Sequence, residues 1–182
     1  RRAQINLIQG GDRILPAMSE IASEKAEIFL EKLGVNVWKN IRVTDYDGKK
    51  VLTNTKTTFE AETLVWAAGV KAVILKGLDK AQFLTKNHRL KVNEFHQIVG
   101  LDDVFAIGDV AQMETEEFPN GHPMMAQPAI QQGRNLGDNL VRLIEGKPMK
   151  PFVYKNKGSM ATVGRNKAVV DMPKFKFQGD FA

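Results

Sequence analysis

Apolar positions along the chain recur with two different periods, and the switches between them predict the elements. Ile5 to Ile8 is a short, mainly apolar run stopped by Gly10-Gly11, the pattern of a buried strand feeding a loop. Ala22, Ala26, Phe29, Leu30 and Leu33 then repeat at helical spacing, with Ser19 in an N-cap position, Glu20 in the positive first turn and Gly34 where a left-handed C-cap ends a helix. Val35 and Val37 alternate with polar neighbours as a second strand. Val43–Tyr46 and Lys49–Thr53 flank Asp47-Gly48, a dipeptide that favours a tight hairpin turn. Two continuous apolar runs, Leu64–Ala68 closed by Gly69 and Val104–Ile107 closed by Gly108-Asp109, predict buried strands. A long helix is expected from about Met125 to Glu145, its apolar face made of Ala126, Ala129, Ile130, Gly133, Leu136 or Gly137, Leu140 and Ile144, and its end marked by Gly146 and Pro148. Met160–Val163 and Ala168–Val170 around Gly164-Arg165-Asn166-Lys167 read as a terminal hairpin.

Strand, helix, strand, hairpin and buried strand in that order predict an α/β fold, a parallel sheet with a small antiparallel meander. Periodicity weakens between Val70 and Leu101, so a boundary is expected there, dividing residues 1–72 from 73–182. At 182 residues the chain can bury a sizeable core. It contains no cysteine, which removes disulfides, thiolate metal sites and a cysteine nucleophile. It opens on Arg1-Arg2 without Met and runs directly into a strand, which is what a piece of a longer protein would give. No apolar run reaches the roughly 18 residues of a membrane span. The net charge of +5 is concentrated at one end: residues 147–182 carry eight basic side chains against Asp171 and Asp180, and the other 146 residues sum to −1. With Phe175, Phe177 and Phe181 interleaved, that end has the character of a segment approaching an anionic surface, a solvated face being the plainer reading.

Few motifs carry chemistry. Gly-Asp occurs four times, and only Gly108-Asp109 stands at the carboxyl end of an expected buried strand, where crevices form in α/β sheets and a carboxylate can accept from sugar or ribityl hydroxyls. Gln127 and Gln131 lie one turn apart near the start of the long helix, whose unpaired N–H groups suit an anionic ring or phosphate. Solvated glutamines are the simpler alternative. His88, His96 and His122 lack ligand spacing and are expected at the surface or in local hydrogen bonds. Neither type of glycine-rich phosphate loop is present.

Taken in order, Ile5-Asn6-Leu7-Ile8-Gln9, Arg13-Ile14-Leu15-Pro16, Leu33-Gly34-Val35, Leu64-Val65-Trp66-Ala67-Ala68-Gly69-Val70, Val104 to Ala111, Ala126-Gln127-Pro128-Ala129-Ile130-Gln131-Gln132-Gly133 and Gly158 to Ala168 resemble the type II NADH:quinone oxidoreductases. The resemblance implies a partial two-dinucleotide-binding, Rossmann-like flavoprotein fold, with residues 1–72 from an NAD(P)H-binding domain and 73–182 from an FAD-binding domain. It implies hydride transfer from NADH to FAD and electron transfer to a membrane quinone without proton pumping. Gly108 and Asp109 would meet the FAD ribityl and phosphate region, and Ala126 and Gln127 the isoalloxazine, with Gln127 and Gln131 as the catalytic pair bordering the quinone. Ala68 and Gly69, after Trp66, would line the nicotinamide side, and Gln9 and Lys157 complete the cofactor-binding set. Gln9 stands where the family commonly has an acid for the ribose hydroxyl; a neutral amide with Arg13 nearby leaves NADPH admissible. No metal and no nucleic acid are expected. The partners implied are the quinone and an anionic membrane surface, on the cytoplasmic face of a bacterial inner membrane, with room for a homodimer. Another pyridine-nucleotide flavoprotein reductase and a non-catalytic basic binding module are the alternatives.

Overall fold

Ser19 opens the first helix as its position predicts. In the computed structural model, which describes residues 3–172 and 176–179, its Oγ accepts from Ala22 N at 3.3 Å and helix α1 runs Glu20–Lys32, with Leu33 as C-cap before Gly34. This helix is the crossover between strands β1, Ile5–Ile8, and β2, Val35–Trp38, which pair in parallel with Ile5 opposite Val35. Strands β3 (Val43–Tyr46), β4 (Lys50–Thr53) and β5 (Thr58–Glu60) form an antiparallel meander. Its first turn is tied by Asp47, whose Oδ1 accepts from Lys49 N and Lys50 N at 2.8 and 2.7 Å.

The next stretch is mostly irregular. Strands β6, Leu90–Lys91, and β7, Ala111–Gln112, are two residues each and pair in parallel, and helix α2 runs Ala126–Ile144. The chain ends on strands β8 (Ser159–Val163), β9 (Lys167–Asp171) and β10 (Lys176–Gly179), paired antiparallel in the order β10-β9-β8. The expected hairpin is therefore present and gains a third strand. Lys174, Phe175, Asp180 and Phe181 of the basic end lie outside the described residues, as do the side chains of Lys176 and Phe177.

Two compact units result. The described residues up to Ala67, together with those from Lys157 onward, form one, and Ala68–Asn156 forms the other. This grouping differs from the division at residue 72, because β8 and β9 pack on α1. Val163 and Val169 share a core with Ile14, Met18, Ala22 and Ala26. Asp171 fastens the two pieces, its carboxylate accepting from Ser19 N at 2.6 Å and Ser19 Oγ at 2.8 Å, where negative charge complements the helix dipole. The second unit is centred on Phe83, Leu90, Val92, Ile98, Ala106 and Phe152.

Two expected strands are not formed. Leu64–Ala68 has no sheet partner among the described residues, and Val65 and Trp66 are 81% and 66% exposed. Val104–Ile107 makes one bridge, Phe105 to Gln97, and only Ala106 of the four is buried. A strand exists only where a neighbour accepts its hydrogen bonds, and an apolar run does not encode that neighbour. Much of the expected apolar face of α2 is also turned outward: Ile130, Leu140 and Ile144 are exposed, Ala129 and Gly133 lie against Gly108 and Ile107, and Pro128, Gln132 and Asn139 are buried.

Two glycines set opposite expectations for stability. Gly158 is buried at φ +95°, and a Cβ there would run into the carbonyl oxygen of Asp171 and come within 2.9 Å of Met172 Cα. Gly137 sits within α2 with nothing inside 4 Å of its Cβ position. Gly158→Ala should cost about 2 kcal/mol or more in urea unfolding, and Gly137→Ala should stabilise by about 0.5–1 kcal/mol; equal effects would remove the packing argument.

Candidate functional site

The site builds outward from the Gly108-Asp109 turn. After the Phe105 bridge the chain enters a 3-10 turn, Gly108–Val110, with Gly108 at φ +70°, a conformation that favours glycine. Gly108 N donates to Gln132 Oε1 at 2.7 Å, so the turn is pinned to the second turn of α2. The Asp109 side chain faces outward, and no described residue hydrogen-bonds its carboxylate. Helix α2 begins beside this turn without a capping side chain, since Met125 at the N-cap has no oxygen to offer. Ala126, exposed, and Gln127, partly exposed, form its first turn. The structure thus sets the turn that carries Gly108 and Asp109 against α2, the helix that opens with Ala126 and Gln127 and whose first N–H groups lack a side-chain cap.

Gln131 has a job that helical spacing did not reveal. Its Nε2 donates to Lys155 O and its Oε1 accepts from Lys155 N, both at 3.0 Å, which copies a strand pairing with one amide. Further along α2, Asn139 does the same for Lys150, accepting from its N at 2.8 Å and donating to its O at 2.9 Å. Residues 128, 132, 135 and 139 form a stripe at i, i+4, i+7 and i+11, and that stripe, not the apolar one, faces inward. Its amides satisfy backbone groups of irregular segments that have no ladder of their own. The polar spacing was present in the sequence and was the missed signal for Gln132.

The other expected residues stand apart from this group. Gln9 ends β1 and donates through Nε2 to Arg13 O at 3.0 Å; Arg13 donates to Pro16 O, Met18 O and Ser23 Oγ, so its guanidinium holds the loop before α1. Ala68 and Gly69 lie in exposed irregular backbone. Lys157 and Gln9 belong to the first unit, Ala68 and Gly69 to the second. Among the described residues no cluster of metal-ligating side chains occurs and no helix is long and apolar enough to cross a membrane.

Two histidines correct the surface expectation. His88 is exposed, whereas His96 and His122 are fully and almost fully buried. His96 Nε2 meets Asn135 Oδ1 at 3.1 Å; Asn135 Nδ2 points to Lys150 O, so its Oδ1 faces the ring and fixes the proton on Nε2. His122 is enclosed by the rings of Phe118, Phe152 and Tyr154 at 4.9 to 5.4 Å. Both Nδ1 atoms are buried without a hydrogen-bond partner. Burial lowers the His96 pKa, against its bond to Asn135, with the charge of His122 lowering it further. Burial also lowers that of His122, aided by Arg89 and opposed by Glu117. A native pKa below the unfolded value means the unfolded chain binds the proton first. Stability is then complete above about pH 6.5 and falls as the pH drops below it, by up to about 1.4 kcal/mol per pH unit for each histidine. Chemical denaturation at pH 7.5 and 5.5 should show the loss, and His122→Gln should reduce it; an unchanged slope in the variant would exclude His122 as a source.

Comparison with known proteins places the fold and the family. The model of the pyridine nucleotide-disulphide oxidoreductase family matches residues 1–133. A type II NADH:quinone oxidoreductase of Haemophilus influenzae is 32% identical over 88% of this chain and 36% of its own length. Another, NdhA of Mycobacterium tuberculosis, is 33% identical over 98% of this chain and 39% of its own. The chain thus spans about two fifths of the length of these relatives. In backbone, NDH2 of Plasmodium falciparum in complex with NADH superposes with a TM-score of 0.83 at 20% identity, covering 97% of this chain and 51% of that one. A ferredoxin reductase of Rhodopseudomonas palustris gives 0.68 at 14% identity over 97% and 50%. The chain belongs to the pyridine nucleotide-disulphide oxidoreductase family, within which its sequence groups with the type II NADH:quinone oxidoreductases.

Proposed function

We propose that this chain forms cofactor-binding framework of an FAD-dependent type II NADH:quinone oxidoreductase, which takes a hydride from NADH and passes two electrons to a membrane quinone without pumping protons. The observation that carries the reading is the unengaged Asp109 carboxylate on a turn fastened through Gln132 to the second turn of α2, a helix whose start has no side-chain cap. Those groups fit a flavin dinucleotide: a carboxylate for ribityl hydroxyls and a helix N-terminus for an electron-rich ring. When bound, FAD supplies the hydride and electron chemistry.

The chain's own residues supply placement. Gly108 lets the ligand approach the backbone, Asp109 accepts from its hydroxyls, and Ala126 and Gln127 lie against the ring. Gln127 borders the quinone, and Gln131 acts there by fixing the backbone at Lys155. Gln9, Ala68, Gly69 and Lys157 complete the nucleotide contacts, residues 1–72 serving NADH, with NADPH admissible at Gln9, and residues 73–182 serving FAD. The basic end from Lys147 meets an anionic membrane surface on the cytoplasmic face of a bacterial inner membrane, and the enzyme works there as a peripheral protein, with a homodimer compatible with this arrangement.

The protein as the cell makes it should purify yellow and oxidise NADH only with a quinone or dye acceptor present. Asp109→Ala should lower FAD affinity by about tenfold or more, the effect of losing hydrogen bonds to a charged acceptor; flavin absorbance after gel filtration reads it, and full occupancy would count against the role. Gln127→Trp should slow oxidation of the reduced flavin by quinone more than its reduction by NADH in stopped flow. Equal losses in the two half-reactions would remove Gln127 from the quinone side.

A further inference from the structure

Arg89 is 6% exposed and has no carboxylate partner among the described residues. Its fork instead reaches three backbone carbonyls in two separate segments. Nε donates to Asp109 O at 3.0 Å and Nη2 to Ala111 O, the two ends of the stretch that carries the Gly-Asp turn. Nη1 donates to His122 O at 3.2 Å, in the loop that leads into α2. Its own backbone is held as well, Arg89 N donating to Thr85 Oγ1, which in turn donates to Gln112 Oε1. A guanidinium presents several N–H groups in one rigid plane, so three carbonyls satisfied together are fixed relative to each other.

We infer that Arg89 is a positioning residue that couples the Gly108-Asp109 turn to the entry of α2, so that both halves of the candidate flavin site are set by one side chain. The inference rests on the flavin reading for its function and on the carbonyl geometry for its mechanics. Gln132 joins the same two elements from the helix side, at Gly108 N, and Arg89 joins them from beneath. Lysine in this position keeps a charge but offers three donors on a flexible stem and loses the planar fork. Glutamine loses both.

Hydrogen exchange on the flavin-loaded and flavin-free protein tests the coupling, with Arg89→Lys and Arg89→Gln beside the wild type. In each variant the amides of residues 108–113 and 121–126 should exchange faster together, by about tenfold or more, while those of residues 136–144 in the second half of α2 keep their rates. Should Arg89→Gln fail to fold, Arg89→Lys carries the test alone. Unchanged exchange, or acceleration confined to one of the two segments, overturns the coupling. FAD affinity is read separately: Arg89→Lys should weaken it about tenfold, and adding Asp109→Ala should cost less than Asp109→Ala costs alone, because the turn is already displaced. Coupled exchange with unaltered FAD affinity would leave the clamp standing and sink the flavin reading. Weakened FAD affinity without coupled exchange would sink the clamp and leave the flavin reading intact.

Discussion

Buried backbone that belongs to no ladder must find side-chain partners, and that constraint shapes the second unit. Between Ala68 and Asn156 the only strands are two residues long, so most peptide groups of this stretch lack a sheet neighbour. Gln132 serves Gly108, Asn139 serves Lys150 and Arg89 serves three carbonyls, and at the surface Gln131 does the same for Lys155. Asn93 closes its own turn by accepting from Phe95 N and Gln97 N, both at 3.0 Å. An amide carries a donor and an acceptor on one plane, which is why it can replace a piece of β-ladder.

The same constraint explains what could be read from the sequence and what could not. Helix α1, its Ser19 cap, the Asp47-Gly48 turn and the β8–β9 hairpin are specified within a few residues of themselves, and each formed as its pattern predicts. Leu64–Ala68 and Val104–Ile107 have equally clear patterns, but a central strand is defined by what lies on both sides of it. For α2 the length was legible and the orientation was not. Its apolar stripe satisfied the usual rule for an inward face, yet the groups waiting inside are carbonyls and amides, and polar side chains answered them.

The candidate site shows the same split between local and distant information. Gly108 and Asp109 could be chosen by their place after an apolar run, and the structure sets their turn against α2, the helix that Ala126 and Gln127 open. Gln132 and Arg89 could not be chosen that way. Their partners are 24 and 20 to 33 positions away in the chain, and a single arginine in a polar stretch carries no pattern. A turn that closes an apolar run leaves a local trace in sequence; the side chains that hold it in place need the fold.

Charge beneath the turn follows from which cations were buried. His122 lies close enough to Arg89 for the guanidinium to lower its pKa, and burial lowers both His96 and His122. At neutral pH the imidazoles are therefore uncharged, while Arg89 remains a cation although burial lowers its pKa, with the charge of Asp109 opposing. Carbonyl oxygens accept from its N–H groups without neutralising it, so the side chain that holds this turn carries a fixed positive charge, on a turn that also carries the exposed Asp109 carboxylate. A histidine in the same place would switch its charge within the physiological range; a guanidinium keeps its own. The hold on the turn therefore does not depend on a group that titrates near neutral pH.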